Sequence, residues 1–124
     1  MKLFSEYLEE RKLLTESPNL TKDLTGLPCN IFVSIEYTNH NKPRIKFQNN
    51  YSDSITSNAD YIPMSIPTSD KEQAEILVDK KLKIKQKDIN LIKAWVKKYS
   101  KILLKYWNQD IGSIELKNFF IKER

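Results

Sequence analysis

Glycine is scarce in this chain: there are two in 124 residues, Gly26 and Gly112, and neither stands in a Walker or dinucleotide-binding pattern. Nucleotide binding through glycine-rich phosphate loops is therefore not expected. The sequence also has a single cysteine, Cys29, and a single histidine, His40. One thiol cannot close an intramolecular disulfide, and one cysteine with one histidine cannot build a usual structural zinc site. The acids Asp53, Asp60, Asp70, Asp79 and Asp110 are scattered without metal-binding spacing, and no serine, histidine and acid triad can be placed. No metal, no cofactor and no classical hydrolase chemistry are expected. No apolar run approaches the roughly 20 residues of a membrane-spanning helix, and the opening MKLFSEYLEER meets acids before any apolar run of signal-peptide length. The expectation is a soluble, cytoplasmic protein with no membrane partner.

The composition itself is that of a folded domain. An apolar fraction of 40% and a charged fraction of 30% suit a globular chain rather than a disordered one, and the length fits one core. The formal charge of +5 is unevenly spread. Between Lys71 and Trp107 there are 11 lysines against 4 acids, a local excess of +7, while the other positions carry 10 basic and 12 acidic residues. Such asymmetry points to an acidic partner, either nucleic acid, as RNA or DNA, or an acidic protein surface.

The stretch around which the chain is organised is LPCNIFVSIEYTNHNKPRIKFQ, residues 27–48. Ile31, Val33, Ile35 and Tyr37 alternate along one strand, and Ile45 and Phe47 along a second, with Arg44, Lys46 and Gln48 on the opposite face. The loop TNHNKP joins them, with Asn39 and Asn41 tolerating positive φ and Pro43 fixing the exit. Before it, Leu3, Phe4, Tyr7, Leu8 and Leu14 form one side of an amphipathic helix over 2–14, and TESPNLTKDLTG reads as a loop pinned by Leu20 and Leu24. After it, the polar run 49–60 reads as a loop able to bind, and Tyr61 to Ile66 as a peripheral strand, since Pro63 and Pro67 favour an edge. Ser69 and Glu72 have the form of a capping box, although an extended piece near Ile76 to Val78 is preferred there.

From Gln86 to Asn108 the period is helical. Leu91, Ile92, Trp95, Val96, Tyr99, Ile102, Leu103 and Tyr106 share one side, and Lys93, Lys97, Lys98, Lys101 and Lys105 the other, with Leu104 among the lysines. Ser113 to Ile121 is expected to form a short closing helix. The fold class that follows is a single α+β domain over 1–124. Its parts are an N-terminal helix and loop over 1–26, a small mainly antiparallel sheet over 27–85, and a helical part over 86–124 whose long helix packs on the sheet.

Two groups of residues are candidates for function. His40, Lys42, Arg44 and Lys46 can converge on a phosphate, with arginine and lysine supplying charge-assisted contacts, while His40 could move a proton in a metal-independent ribonuclease or toxin. Lys93, Lys97, Lys101 and Lys105, spaced by four, form a ridge able to follow phosphates. Each has an ordinary structural counterpart: a solvated loop histidine, the polar side of an amphipathic strand, a solubilising helix face. Trp95, Tyr99 and Tyr106 read as core, with Trp107 at the margin of the stripe. A protein-binding inhibitor or adaptor using the same basic surface is the remaining alternative.

The run LPCNIFV, then His40 and Pro43 before RIKF, then Trp95 followed by LLKYWN, resembles a family of small bacterial and phage proteins classed as a domain of unknown function, over about residues 27–108. The resemblance implies an accessory role in a mobile element or defence-related system and supplies no reaction. Some relatives carry histidines where this chain has Arg44 and Lys46, so a histidine-dependent activity in them is not implied for this chain.

Overall fold

The computed structural model describes residues 19–33, 42–53 and 60–123. The expected helix over 2–14, the end of the first strand, the loop with His40, and much of the 49–60 excursion lie outside them. Within them the α+β class holds. Four consecutive strands, β1 (Asn19–Leu20), β2 (Ile31–Val33), β3 (Arg44–Gln48) and β4 (Tyr61–Ser65), form an antiparallel meander in the order β1-β2-β3-β4. A short helix, α1 (Lys22–Thr25), lies between β1 and β2, and α2 (Gln86–Lys98), α3 (Ser100–Trp107) and α4 (Ser113–Glu123) follow the sheet. Among the described residues no helix is long and apolar enough to cross a membrane.

The alternation read from the sequence sets the register. Ile31 faces Phe47 and Val33 faces Ile45 across β2 and β3, and Ile45 faces Met64 and Phe47 faces Ile62 across β3 and β4. All six are buried. They join Ile89, Ile92, Trp95, Val96, Leu103, Leu116 and Phe120 from the helices in one core, so the inner face of the sheet is covered by the helical layer. Burying each aliphatic or phenyl side chain of this kind contributes about 1.5–3 kcal/mol, which makes this seam the main source of stability.

Pro63 sits in β4 because of the direction its missing N–H would take. The Ser65 amide donates outward to the Glu75 carbonyl (2.8 Å), and the Pro63 carbonyl accepts from Leu77 N–H (3.0 Å). Residues 63 and 65 therefore bond away from β3, and the proline costs no bond within the sheet. The expected extended piece near Ile76 is present as a bridge from Met64 to Ile76 that covers this edge.

Several expectations are corrected. The segment read as a plain loop over 15–26 contains β1 and α1, with Leu20 buried and Leu24 packed on the core. Gly26 ends α1 at φ 76°, donating its amide to the Lys22 carbonyl, a left-handed position that glycine takes without a Cβ penalty. Glu72 bonds Thr68 through both the amide and the hydroxyl rather than capping a helix at Ser69. The helix expected over 86–108 is interrupted at Tyr99 (φ −104°, ψ 17°), where that ring packs among Trp95, Phe119 and Phe120. Leu91 is 55% exposed, since it lies about 100° round the helix from buried Ile92. Trp107, by contrast, is buried, and Leu104 packs on the core edge. The helical stretch from Gln86 ends at Asn108 as expected: Gln109 takes φ 63°, with the Asp110 amide on the Lys105 carbonyl and the Gln109 amide on that of Tyr106, the double bond of a Schellman ending.

Truncating the seam should be costly: Ile45→Ala is expected to lower the unfolding free energy by about 2–5 kcal/mol, and Leu91→Ala to change it by less than about 0.5 kcal/mol. Urea midpoints of the two variants check this orientation. Gln109→Gly, relieving the left-handed backbone, is expected to raise stability by up to about 1 kcal/mol, read as an upward shift in the same midpoint.

Candidate nucleic-acid interface

Because β3 alternates, packing Ile45 and Phe47 inward sends Arg44 and Lys46 to the outer face of the sheet. Arg44 stands opposite Ser65, and Lys46 lies between Phe32 on β2 and Pro63 on β4. The Arg44 Nε–H donates to the Lys42 carbonyl (3.2 Å), which ties the guanidinium to the start of the strand. Lys42 is exposed, and Arg44 and Lys46 are half-buried. The ion pairs Lys22–Asp53 and Lys80–Asp60 lie elsewhere, and among the described residues no carboxylate holds Arg44 or Lys46. Beside Lys42 a groove of about 210 Å³ is lined by Ser65, Lys71, Glu72 and Glu75. There hydrogen bonds from Thr68, assisted by the charge of Lys42, hold the Glu72 carboxyl below its usual value, so acids bound this end of the basic surface.

Aromatic rings complete the outer face. Phe32 and Tyr61 belong to the two strands flanking β3, whose backbones are about 10 Å apart, yet their ring centroids are 5.7 Å apart with the planes at 56°. The rings therefore lean toward one another over β3, between Lys46 and Gln48, and burial raises the Tyr61 hydroxyl above its ordinary value. Gln48 points away from the core as expected, but it is buried. Its amide takes a hydrogen bond from Asn30 Nδ2 (3.3 Å) and donates to Asn50 Oδ1 (2.8 Å).

The lysine row occupies a different side. The apolar faces of α2 and α3 meet the inner face of the sheet, so their polar faces look away from it, and the structure does not bring the two basic groups together. Lys93 and Lys97 are half-buried and Lys101 and Lys105 exposed. Lys97 Nζ donates to the Asp70 carbonyl (3.1 Å), and the row is divided between two helices at Tyr99.

A polar cluster at the start of the 49–60 run was not read from the sequence. Asn49 is fully buried: its amide nitrogen donates to Asp60 Oδ2 and the Lys81 carbonyl, and its oxygen accepts from Lys83 N–H. Lys22 Nζ reaches the Tyr51 carbonyl (2.6 Å) and Asp53 (2.8 Å). The Tyr51 hydroxyl accepts from Lys85 N–H (2.9 Å) and donates to Asp88 (2.7 Å), thereby capping the first turn of α2, where Lys85 offers no side-chain cap of its own. This part of the expected binding loop is thus fastened to the domain. Cys29 is fully buried nearby, and burial, reinforced by Asp88 and opposed by Lys22, pushes its thiol up to about 11, leaving it protonated at neutral pH. No group of three or more histidine, cysteine, aspartate or glutamate side chains among the described residues is placed to hold a metal ion.

A scan against protein-family models and searches of the curated proteins and of the solved structures gave no match.

The polar cluster has a measurable acid dependence. Hydrogen bonds from Lys80, then Asn49, hold the Asp60 carboxyl below its ordinary value. A carboxyl lowered in the folded state stabilises the fold above its unfolded value, and that contribution is lost as pH falls through the folded value, below about pH 4. Comparing urea midpoints at pH 7 and pH 3, Asp60→Asn should show a smaller drop between the two than the native chain.

Proposed function

We propose that this chain is a small nucleic-acid-binding protein whose contact surface is the outer face of the sheet. The observation that carries this reading is the placement of Arg44 and Lys46 on one strand face, next to exposed Lys42, with no described carboxylate pairing with Arg44 or Lys46. Cations that no described carboxylate holds can engage phosphates without first breaking such an ion pair, and arginine can do so with two parallel bonds. His40, which lies in sequence between β2 and β3, is assigned to the same surface by that position alone. The lysines of α2 and α3 would add a general positive field that raises the encounter rate without sharing the contact.

Salt is the discriminating variable. Binding of a fluorescent RNA or DNA oligonucleotide should weaken linearly on a logarithmic salt scale. Arg44→Ala/Lys46→Ala should reduce the slope by about 1.4, two phosphate contacts at roughly 0.7 each on a single strand, and Lys97→Ala/Lys101→Ala should change it far less. Absence of binding at low salt would sink the proposal and leave an acidic protein surface as the partner. RNA cleavage that is lost in His40→Ala would instead favour a ribonuclease.

A further inference from the structure

We infer that the outer face of the sheet takes single-stranded nucleic acid, with bases stacked on the paired rings of Phe32 and Tyr61 and the strand's phosphates on Arg44 and Lys46. The inference rests on the phosphate reading above and adds a demand for unpaired bases.

The geometry supplies three reasons. First, the rings do not arise as a by-product of the core: Phe32 and Tyr61 belong to the side of the sheet opposite Ile31, Val33, Ile62 and Met64, which the helices cover. Two half-buried aromatic rings converging there, on a face that also carries Arg44, Lys46, Pro63 and polar groups, form an apolar spot in a cationic setting. That combination matches a ligand having both a flat apolar surface and a repeated negative charge. Second, the separation decides how a base would meet them. A base intercalated between two rings needs about 7 Å from ring to ring, twice the ordinary stacking distance of about 3.5 Å, whereas these centroids are 5.7 Å apart and tilted by 56°. A base therefore stacks on top of a ring rather than between the two. Third, the spacing follows the strand. Arg44 and Lys46 are two residues apart on one face, about 6.5–7 Å, close to the distance between successive phosphates of an extended single strand, and Phe32 lies in register with Lys46.

A duplex satisfies only the charge. Its bases are already stacked on one another, and their faces are closed to a protein ring, while a single strand leaves them free for aromatic platforms. Sequence preference is expected to be weak, since every base has a face to stack and the rings themselves offer no hydrogen-bond readout.

Three 12-nucleotide probes at one salt concentration test this: a single strand, the same sequence as a duplex, and an abasic strand that keeps the phosphates and loses the bases. The native chain should bind the single strand at least about tenfold more tightly than either of the others. Phe32→Leu and Tyr61→Leu, which keep an apolar side chain on the sheet, should each remove most of that advantage, with folding verified by the unfolding midpoint. Tyr61→Phe should retain it. Equal affinity for all three probes, lost together in Arg44→Ala/Lys46→Ala, would overturn the stacking inference while leaving the phosphate reading intact. No binding of any probe would overturn both.

Discussion

The seam between the inner face of β3 and the helices decides most of what the molecule presents to its surroundings. Ile45 and Phe47 are held between β2 and β4 on either side and the helical layer beneath. A strand has period two, so fixing those two side chains leaves no freedom in where their neighbours go. A shift by one residue would bury Arg44 and Lys46 in an apolar layer, where unpaired charge is far more costly than any contact regained. The cationic face is therefore held in place by the hydrophobic core.

Around that seam, polar side chains do what the scarce glycines and tight turns do not. Asn30, Gln48 and Asn49 are buried with hydrogen-bond partners, and an amide buried with its bonds made costs little, whereas one left open costs much. Asn49 joins the end of β3 to the segment around Lys81 and Lys83, well separated in sequence, and Asn30 and Gln48 tie the start of β2 and the end of β3 to the residues that follow β3.

How far the sequence disclosed this depends on whether the signal was local. The strands around Ile31 and Ile45, the apolar stripe of Ile92, Trp95, Val96 and Leu103, and the peripheral strand with Pro63 are periodic patterns, and periodicity is visible in one dimension. Arg44 and Lys46 were legible as a pair for the same reason. Phe32 and Tyr61 were not: they lie 29 positions apart, and only the pairing of both β2 and β4 with β3 makes them neighbours. Trp107 falls at the margin of the stripe because a straight helix read from the sequence lacks the cover supplied by the rest of the fold. Leu91 is the opposite case, an apolar residue of the stripe that the helix leaves in solvent. The buried amides gave no periodic signal, since asparagine and glutamine in a polar run ordinarily mark a loop.

The capping of α2 by Tyr51 has a consequence for how the chain reaches this state. A helix that carries its own cap can form its first turn early, from residues close in sequence. Here the hydroxyl comes from a residue 34 positions before Lys85, so the first turn of α2 gains its partner only when the end of β3 has been delivered to it. Helix start and sheet end are thus parts of one cooperative unit. In kinetic terms, removing that hydroxyl is expected to accelerate unfolding more than it slows folding, the mark of a contact made after the transition state.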